Sequence, residues 1–291
     1  MSSIKSIAII GGTHGNELTG VHIIQSLKKR HENPVFDTFN FTYVIANPTA
    51  VEQNTRFIDV DLNRQFSVEN LASLDTTLVE LNIAKLLNQQ FGPKQDSKTD
   101  LVIDIHNTTS AMGATLILLE DSPFYRNMGG YLKAHMPSAN ILLEDEIAYL
   151  EHPYLCTIGQ HGIMLELGAQ PQGVSRMDIL LACEEMLDHI LTYCDLYNQN
   201  TLPEIPEFTA YRLLDVVKFP LDEANEVAGL VHENMLDRDY ERVKIGDPIF
   251  RMFDGTEVLL TGEQAIYPHF INEAAYKNSK VAFATALKFK W

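Results

Sequence analysis

Cysteine is scarce in this chain. Cys156, Cys183 and Cys194 are the only three in 291 residues, an odd number with no CxxC pair. That argues against a disulfide framework or a cysteine-built zinc site, and it fits a reducing, cytoplasmic compartment. Cys183 and Cys194 fall in an amphipathic stretch and read as buried structural thiols. Positive charge is short as well: 22 Lys and Arg face 39 Asp and Glu, a net charge of −17. Nucleic acid and anionic membrane surfaces, which demand clustered basic side chains, are poor partners for such a chain. An anionic substrate would need local cations set against the mean field. No apolar run approaches the length of a membrane span, and MSSIKSIAII is too short in apolar residues for a secretory signal.

The chain does have an ordinary globular composition, 45% hydrophobic and 21% charged, and a regular alternation of patterns. Apolar runs at SIAII, FNFTYVIAN, DLVIDIHN, ATLILLE, ANILLE and GIMLELG read as strands. ELTGVHIIQSLKKR, TLVELNIAKLLNQQF, SPFYRNMGGYLKAHM and SRMDILLACEEMLDHILTYCDLYNQ read as helices. Runs that are apolar throughout predict strands covered on both faces, hence an α/β fold around a parallel or mixed sheet. Two prolines in NQNTLPEIPEF mark a boundary near residue 203. Beyond it, AYRLLDVVKF, PIFRMF and TEVLL with intervening turn signals predict a smaller β-rich domain. The expected division is 1–203 and 204–291.

The first strand opens into GGTHGNELTG. No starting glycine satisfies GxGxxG, and after Gly15 and Gly20 the residue is Val21 where a phosphate-binding loop needs Lys, so both nucleotide fingerprints fail. Gly11, Gly12 and Gly15 are then read as clearance around a metal. His14 and Glu17 alone are a weak pair, equally compatible with solvated side chains at a helix start. A third donor is needed, because open catalytic zinc sites take three protein ligands and leave a position for water. His106 ends LVIDIHN, where a buried strand delivers its last residue to the carboxyl edge of the sheet. Asp104 shares its strand face and is placed either to orient a ligand or to support the sheet. His22, His31, His135 and His189 read as helix-face residues; His152, His161, His232 and His269 sit in loop-like contexts that their spacing does not distinguish.

NPTAVEQNTRFIDVDLNRQF gathers Arg56, Asp59, Asp61, Asn63 and Arg64 into nine residues. Such density does not suit a buried strand. It is either a solvated loop with local salt bridges or a set of guanidinium and amide donors converging on a carboxylate or oxyanion. Glu166 stands in the apolar run GIMLELG, where an ionised carboxylate must be paired, neutralised or turned to a cavity. Beside an acidified water it would be a general base.

GGTHGNELTG, NPTAVEQNTRFIDVDLNRQF, DIHNTTSAMG, LELGAQPQG and NEAAYKNSK, in that order from residue 11 to 280, together resemble the aspartoacylase and succinylglutamate desuccinylase family of the zinc carboxypeptidase-like superfamily. DVDLNRQF, AQPQG and NEAAY look most like its aspartoacylase branch. The resemblance implies an α/β/α domain with a mixed sheet and a β-rich C-terminal domain capping the active-site entrance. It implies one zinc ion held by His14, Glu17 and His106. Glu166 matches the general base and acid, and Arg56 the arginine that polarises the scissile carbonyl. Asn63, Arg64 and Tyr276 match groups that hold the substrate's side-chain carboxylate, and Lys280 a basic residue near its α-carboxylate.

The implied reaction is zinc-dependent hydrolysis of an N-acyl amino acid, foremost N-acetyl-L-aspartate to acetate and aspartate. A succinylglutamate desuccinylase and an aminoacylase for other N-acyl amino acids are the alternatives. One departure bears on the choice. Aspartoacylases carry a second carboxylate-binding arginine ten positions before the catalytic glutamate; here that position is Cys156, and no arginine occurs between Arg126 and Arg176. The expected partner is therefore a small anionic N-acyl amino acid, with no nucleic acid or membrane; a homodimer is the expected assembly.

Overall fold

Ile7, Ile9, Ile103 and Ile105 face one layer of helices, while Ala8, Ile10 and Val102 face another. Consecutive strand residues point to opposite sides, so these apolar runs bury both faces of one sheet. The computed structural model describes residues 3–29 and 36–291; His31 lies outside them.

The first half of the chain runs β1 (Ser6–Gly11), α1 (Leu18–Lys29), β2 (Asn40–Ile45), α2 (Pro48–Gln53), α3 (Val68–Ala72), α4 (Val79–Phe91), β3 (Leu101–Asn107), β4 (Ala114–Leu118) and α5 (Pro123–His135). It continues through β5 (Asn140–Leu143), β6 (His161–Leu167) and α6 (Met177–Gln199). Residues 201–208 have no regular structure. Then come β7 (Thr209–Lys218), β8 (Gly229–Val231), β9 (Pro248–Met252), β10 (Glu257–Leu259), β11 (Tyr267–His269) and β12 (Val281–Lys290).

Nine strands form one mixed sheet in the order β11-β12-β7-β5-β4-β6-β3-β1-β2, and β10-β9-β8 form a second, antiparallel sheet. Strands β2, β1, β3 and β6 are parallel, and β4 reverses direction beside β6. Helices α1, α5 and α6 pack on one face, and α4 covers the other. The six apolar runs and four helical patterns of the first two-thirds all appear as elements, giving the α/β fold with a mixed sheet and a β-rich C-terminal part. β12 carried no strand signal, because VAFATALKFK is rich in alanine and lysine, which are depleted in strands. Its stability comes from the full-length antiparallel pairing with β7. β7 in turn pairs with β5 through Leu142↔Tyr211 and Leu143↔Arg212, so the chain beyond residue 203 extends the main sheet as well as building its own core around Phe250 and Phe283.

Gly11 and Gly15 have a different task from the metal clearance expected of them. A Cβ on Gly11 would lie 2.4 Å from the backbone carbon of Gly20, and one on Gly15 would lie 2.0 Å from that of Ala50. The glycines let α1 and α2 press their backbones against the end of β1.

Candidate metal centre and substrate cleft

Parallel pairing of β3 with β6 sets His106 beside Glu166 at the carboxyl end of both strands. The turn after β1 brings His14 and Glu17 to the same edge. The His14, Glu17 and His106 donor atoms lie within 4.8 Å of one another, and all three residues are buried. Individual separations are 2.7 Å for His14 Nδ1 to Glu17 Oε1, 3.0 Å for His106 Nδ1 to Glu17 Oε2 and 3.3 Å between the two Nδ1 atoms.

The far nitrogen of each imidazole is held by a carboxylate. His14 Nε2 donates to Asp61 Oδ1 at 2.9 Å, and His106 Nε2 donates to Asp104 Oδ2 at 2.8 Å. Carboxylates only accept, so each ring keeps its proton on Nε2 and presents the Nδ1 lone pair, the arrangement that fits a bound cation. Asp104 also accepts from Thr13 Oγ1 at 2.7 Å. Burial alone would raise the Glu17 pKa, but His14 and His106 hold it well below the usual carboxylate range. Burial opposes charge on His106 too, and Asp104 and Glu17 override it to raise its pKa. Two nitrogens and one oxygen, closed on a shared centre and braced from behind, suit zinc's preference for N and O ligands.

The charged stretch 56–64 is neither a strand nor a freely solvated loop. Glu80 of α4, buried beneath it, accepts from the backbone N–H groups of Ile58, Asp59 and Val60 at 2.7, 3.0 and 3.2 Å. That anchor turns Arg56 and Asp61 inward. Arg56 Nη1 donates to Glu17 Oε1 at 2.8 Å, and its Nε and Nη2 fork onto Asp61 Oδ2. Burial would lower the Arg56 pKa; Glu17 and Asp61 raise it and keep the guanidinium charged. A short 3₁₀ turn, Leu62–Arg64, then presents Asn63 and Arg64. Asn63 Oδ1 accepts from Leu155 N at 2.7 Å, and the Arg64 guanidinium lies 5.0 Å from the centroid of the Tyr154 ring.

These residues line one cleft at the carboxyl edge of the sheet. It gathers His14, Glu17, Arg56, Asn63, Arg64, His106, Glu166 and Tyr276. Glu166 is 8% exposed, and burial first, then Glu17 and Glu273, pushes its pKa well above the carboxylate range despite His106 and Arg56. The β-rich part contributes Tyr276, whose hydroxyl is also driven up by burial, and Glu273. Glu273 accepts from the Thr108 hydroxyl and from Thr109 N at 2.7 Å, tying the C-terminal part to the loop that follows His106.

Lys280 is not brought to the cleft. The β7–β12 pairing starts at Lys218 and Val281, and it carries the preceding Lys280 to the far side, where its ammonium donates to the Asn225 carbonyl. Cys156, at the position of the absent arginine, is fully buried and does not line the cleft. Among the loop histidines none lines the cleft; His152 stacks behind Tyr154 with ring centroids 5.2 Å apart. Sequence reasoning did not single out Asp61's hold on His14, Glu144, Tyr154 or Glu273. The LLED that ends the β5 run, an acid at the end of an apolar strand, is the signal that could have found Glu144.

A mixed-sheet α/β domain followed by a β-rich C-terminal part defines a zinc-carboxypeptidase-like fold. The chain belongs to the succinylglutamate desuccinylase/aspartoacylase family: residues 3–194 match the model of its catalytic domain, and residues 206–288 match that of its barrel-sandwich hybrid domain. It is 40% identical to a Xenopus tropicalis N-acyl-aromatic-L-amino acid amidohydrolase, over 98% of this chain and 94% of that protein. Its identity to a Rattus norvegicus aspartoacylase is also 40%, over 98% of this chain and 93% of the relative. The crystal structure of murine aminoacylase 3 superposes with a TM-score of 0.93 at 34% identity, covering 100% of this chain and 97% of the other. A Vibrio parahaemolyticus succinylglutamate desuccinylase shares the fold, with a TM-score of 0.66 at 18% identity.

Proposed function

We propose that this chain hydrolyses the amide bond of N-acyl-L-amino acids, with zinc held by His14, Glu17 and His106. N-acetyl-L-aspartate, cleaved to acetate and aspartate, is the leading substrate. The observation that carries this reading is the register pairing of His106 with Glu166, which sets a buried carboxylate of raised proton affinity beside the ligand triad.

Zinc at such a site supplies Lewis acidity toward a carbonyl oxygen and lowers the pKa of a bound water toward about 7. Glu166 takes the proton from the attacking water and returns it to the departing nitrogen, so that a carboxylate and a free amine leave. Arg56 offers its guanidinium to the oxygen that becomes negative, a contribution of the kind worth roughly 3–4 kcal/mol. Arg64 and Tyr276 receive a substrate carboxylate, and Asn63, braced by Leu155, fixes the turn that carries Arg64. The three buried thiols support a reducing, cytoplasmic setting.

A second reading, an amidohydrolase for neutral N-acyl amino acids, is favoured by one observation: with Lys280 elsewhere and Cys156 in place of arginine, Arg56 and Arg64 are, among the described residues, the only Lys or Arg side chains on the cleft wall. Zinc content and amine release from N-acetyl-L-aspartate, N-acetyl-L-tyrosine and N-succinyl-L-glutamate test both together. Stoichiometric zinc with no amine released from any of the three would refute the hydrolase reading.

A further inference from the structure

Four carboxylates line the cleft: Glu17, Glu144, Glu166 and Glu273. Glu17 belongs to the ligand triad, Glu166 to the reaction and Glu273 to the Thr108–Thr109 loop. Glu144 has no such task. It follows β5, its backbone N–H fixed on the Leu118 carbonyl at 2.8 Å, and it is 7% exposed. Its one side-chain hydrogen bond comes from Tyr154 Oη, at a long 3.4 Å. Among the described residues, no Lys, Arg or His nitrogen lies within 4.0 Å of its carboxylate. The Tyr154 that reaches it also underlies the Arg64 guanidinium, so the acid and the cation flank one aromatic ring in the same cleft.

The groups that bear electrostatically on this carboxyl are Glu146 of the following loop, Arg64 and Tyr154. Tyr276, Tyr240 and Cys156 feel its charge in return. Burial and then Glu146 push its pKa up to about 7, against Arg64 and Tyr154.

We propose that Glu144 determines which N-acyl amino acids this cleft accepts: ionised, it repels an acidic substrate side chain brought to Arg64; protonated, it offers that side chain a hydrogen-bond donor. This rests on the hydrolase reading above. Acidic and neutral substrates of the same shape then differ by one charge facing Glu144, and their preference ratio isolates that contact. The pH dependence of Glu166, zinc and the substrate amide is common to both and cancels.

The test is kcat/KM for N-acetyl-L-aspartate against its neutral isostere N-acetyl-L-asparagine, from about pH 6 to about pH 8.5, for the zinc-loaded protein and its E144Q variant. One linked proton requires the Asp/Asn ratio of the unaltered protein to fall at least about tenfold across that range. In E144Q the ratio stays level and exceeds that of the unaltered protein at high pH. A level ratio in the unaltered protein overturns the proposal without any variant, and an E144Q ratio that still falls overturns it equally. If neither compound is hydrolysed, the hydrolase reading is judged by the three-substrate panel above, and the Asp/Asn preference is read from binding instead. Calorimetric binding of L-aspartate and L-asparagine to the same two proteins then decides Glu144 by the same ratio.

Discussion

Nδ1 of His14 and Nδ1 of His106 face each other at 3.3 Å, while Asp61 and Asp104 grip the opposite nitrogens at 2.9 and 2.8 Å. The ring orientations are thus fixed by two acids that do not line the cleft. Replacing Asp104 with Asn should weaken zinc binding about 10–100-fold, the usual cost of removing a carboxylate behind a ligating histidine. His106→Ala should lose more. Zinc titration against a competing chelator checks both, and full occupancy in His106→Ala would remove it from the ligand set.

Glu166→Gln keeps the shape of the side chain and removes its ability to take a proton. The variant should retain stoichiometric zinc while kcat falls roughly 10²–10⁴-fold, the range of a lost general base. Metal analysis beside amine release separates the two effects. Turnover within a few-fold of the unaltered enzyme would assign proton transfer elsewhere.

Lys94 is buried, and its ammonium donates to Phe66 O at 2.8 Å, His152 O at 2.6 Å and Thr157 Oγ1 at 2.8 Å. One cation thereby joins the segment that follows Arg64 to the segment that carries Tyr154. Lys94→Met leaves two carbonyls and a hydroxyl without their donor and should cost roughly 2–4 kcal/mol of stability. It should also raise KM more than it lowers kcat, because Arg64 and Tyr154 lose their common brace. Thermal unfolding and steady-state kinetics read these two consequences independently.

Glu144 also makes stability pH-dependent, with a definite sign. Its carboxyl is raised from the usual 4.5 to about 7 in the folded protein. The folded chain therefore holds a proton that the unfolded chain has released, and stability falls as pH rises through that window. The integrated loss is roughly 3 kcal/mol. E144Q should be more stable than the unaltered protein at about pH 8, with the gap closing toward pH 4.5; denaturant unfolding at both pH values measures it.

Much of the site was legible in the chain because each of its chemical groups interrupts a pattern. His14 and Glu17 follow a strand that stops at glycines, His106 ends an apolar run, and Glu166 stands inside one. An acid or imidazole at such a place has to be paired or turned to a cavity whatever the fold. Asp61, by contrast, sat in a cluster of five polar groups with nothing to tell it from Asp59. The difference came from Glu80, nineteen positions away, whose grip on three backbone N–H groups sets which side of the loop turns inward.

Lys280 shows the converse. Its place in NEAAYKNSK resembled a substrate-binding position, yet the β7–β12 pairing decides where its side chain goes, and that pairing is long-range. Glu144 and Arg64 likewise meet across one tyrosine from three separate segments.

The sequence by itself determined the α/β alternation and singled out His14, Glu17, His106 and Glu166 as candidates, since periodicity and the cost of burying charge are local properties. Only the tertiary structure decided which carboxylates orient the triad, which cations reach the cleft and what charge the substrate side chain meets. Those depend on distances between segments far apart in the chain, and electrostatic interaction depends on distance and burial rather than on order in the sequence.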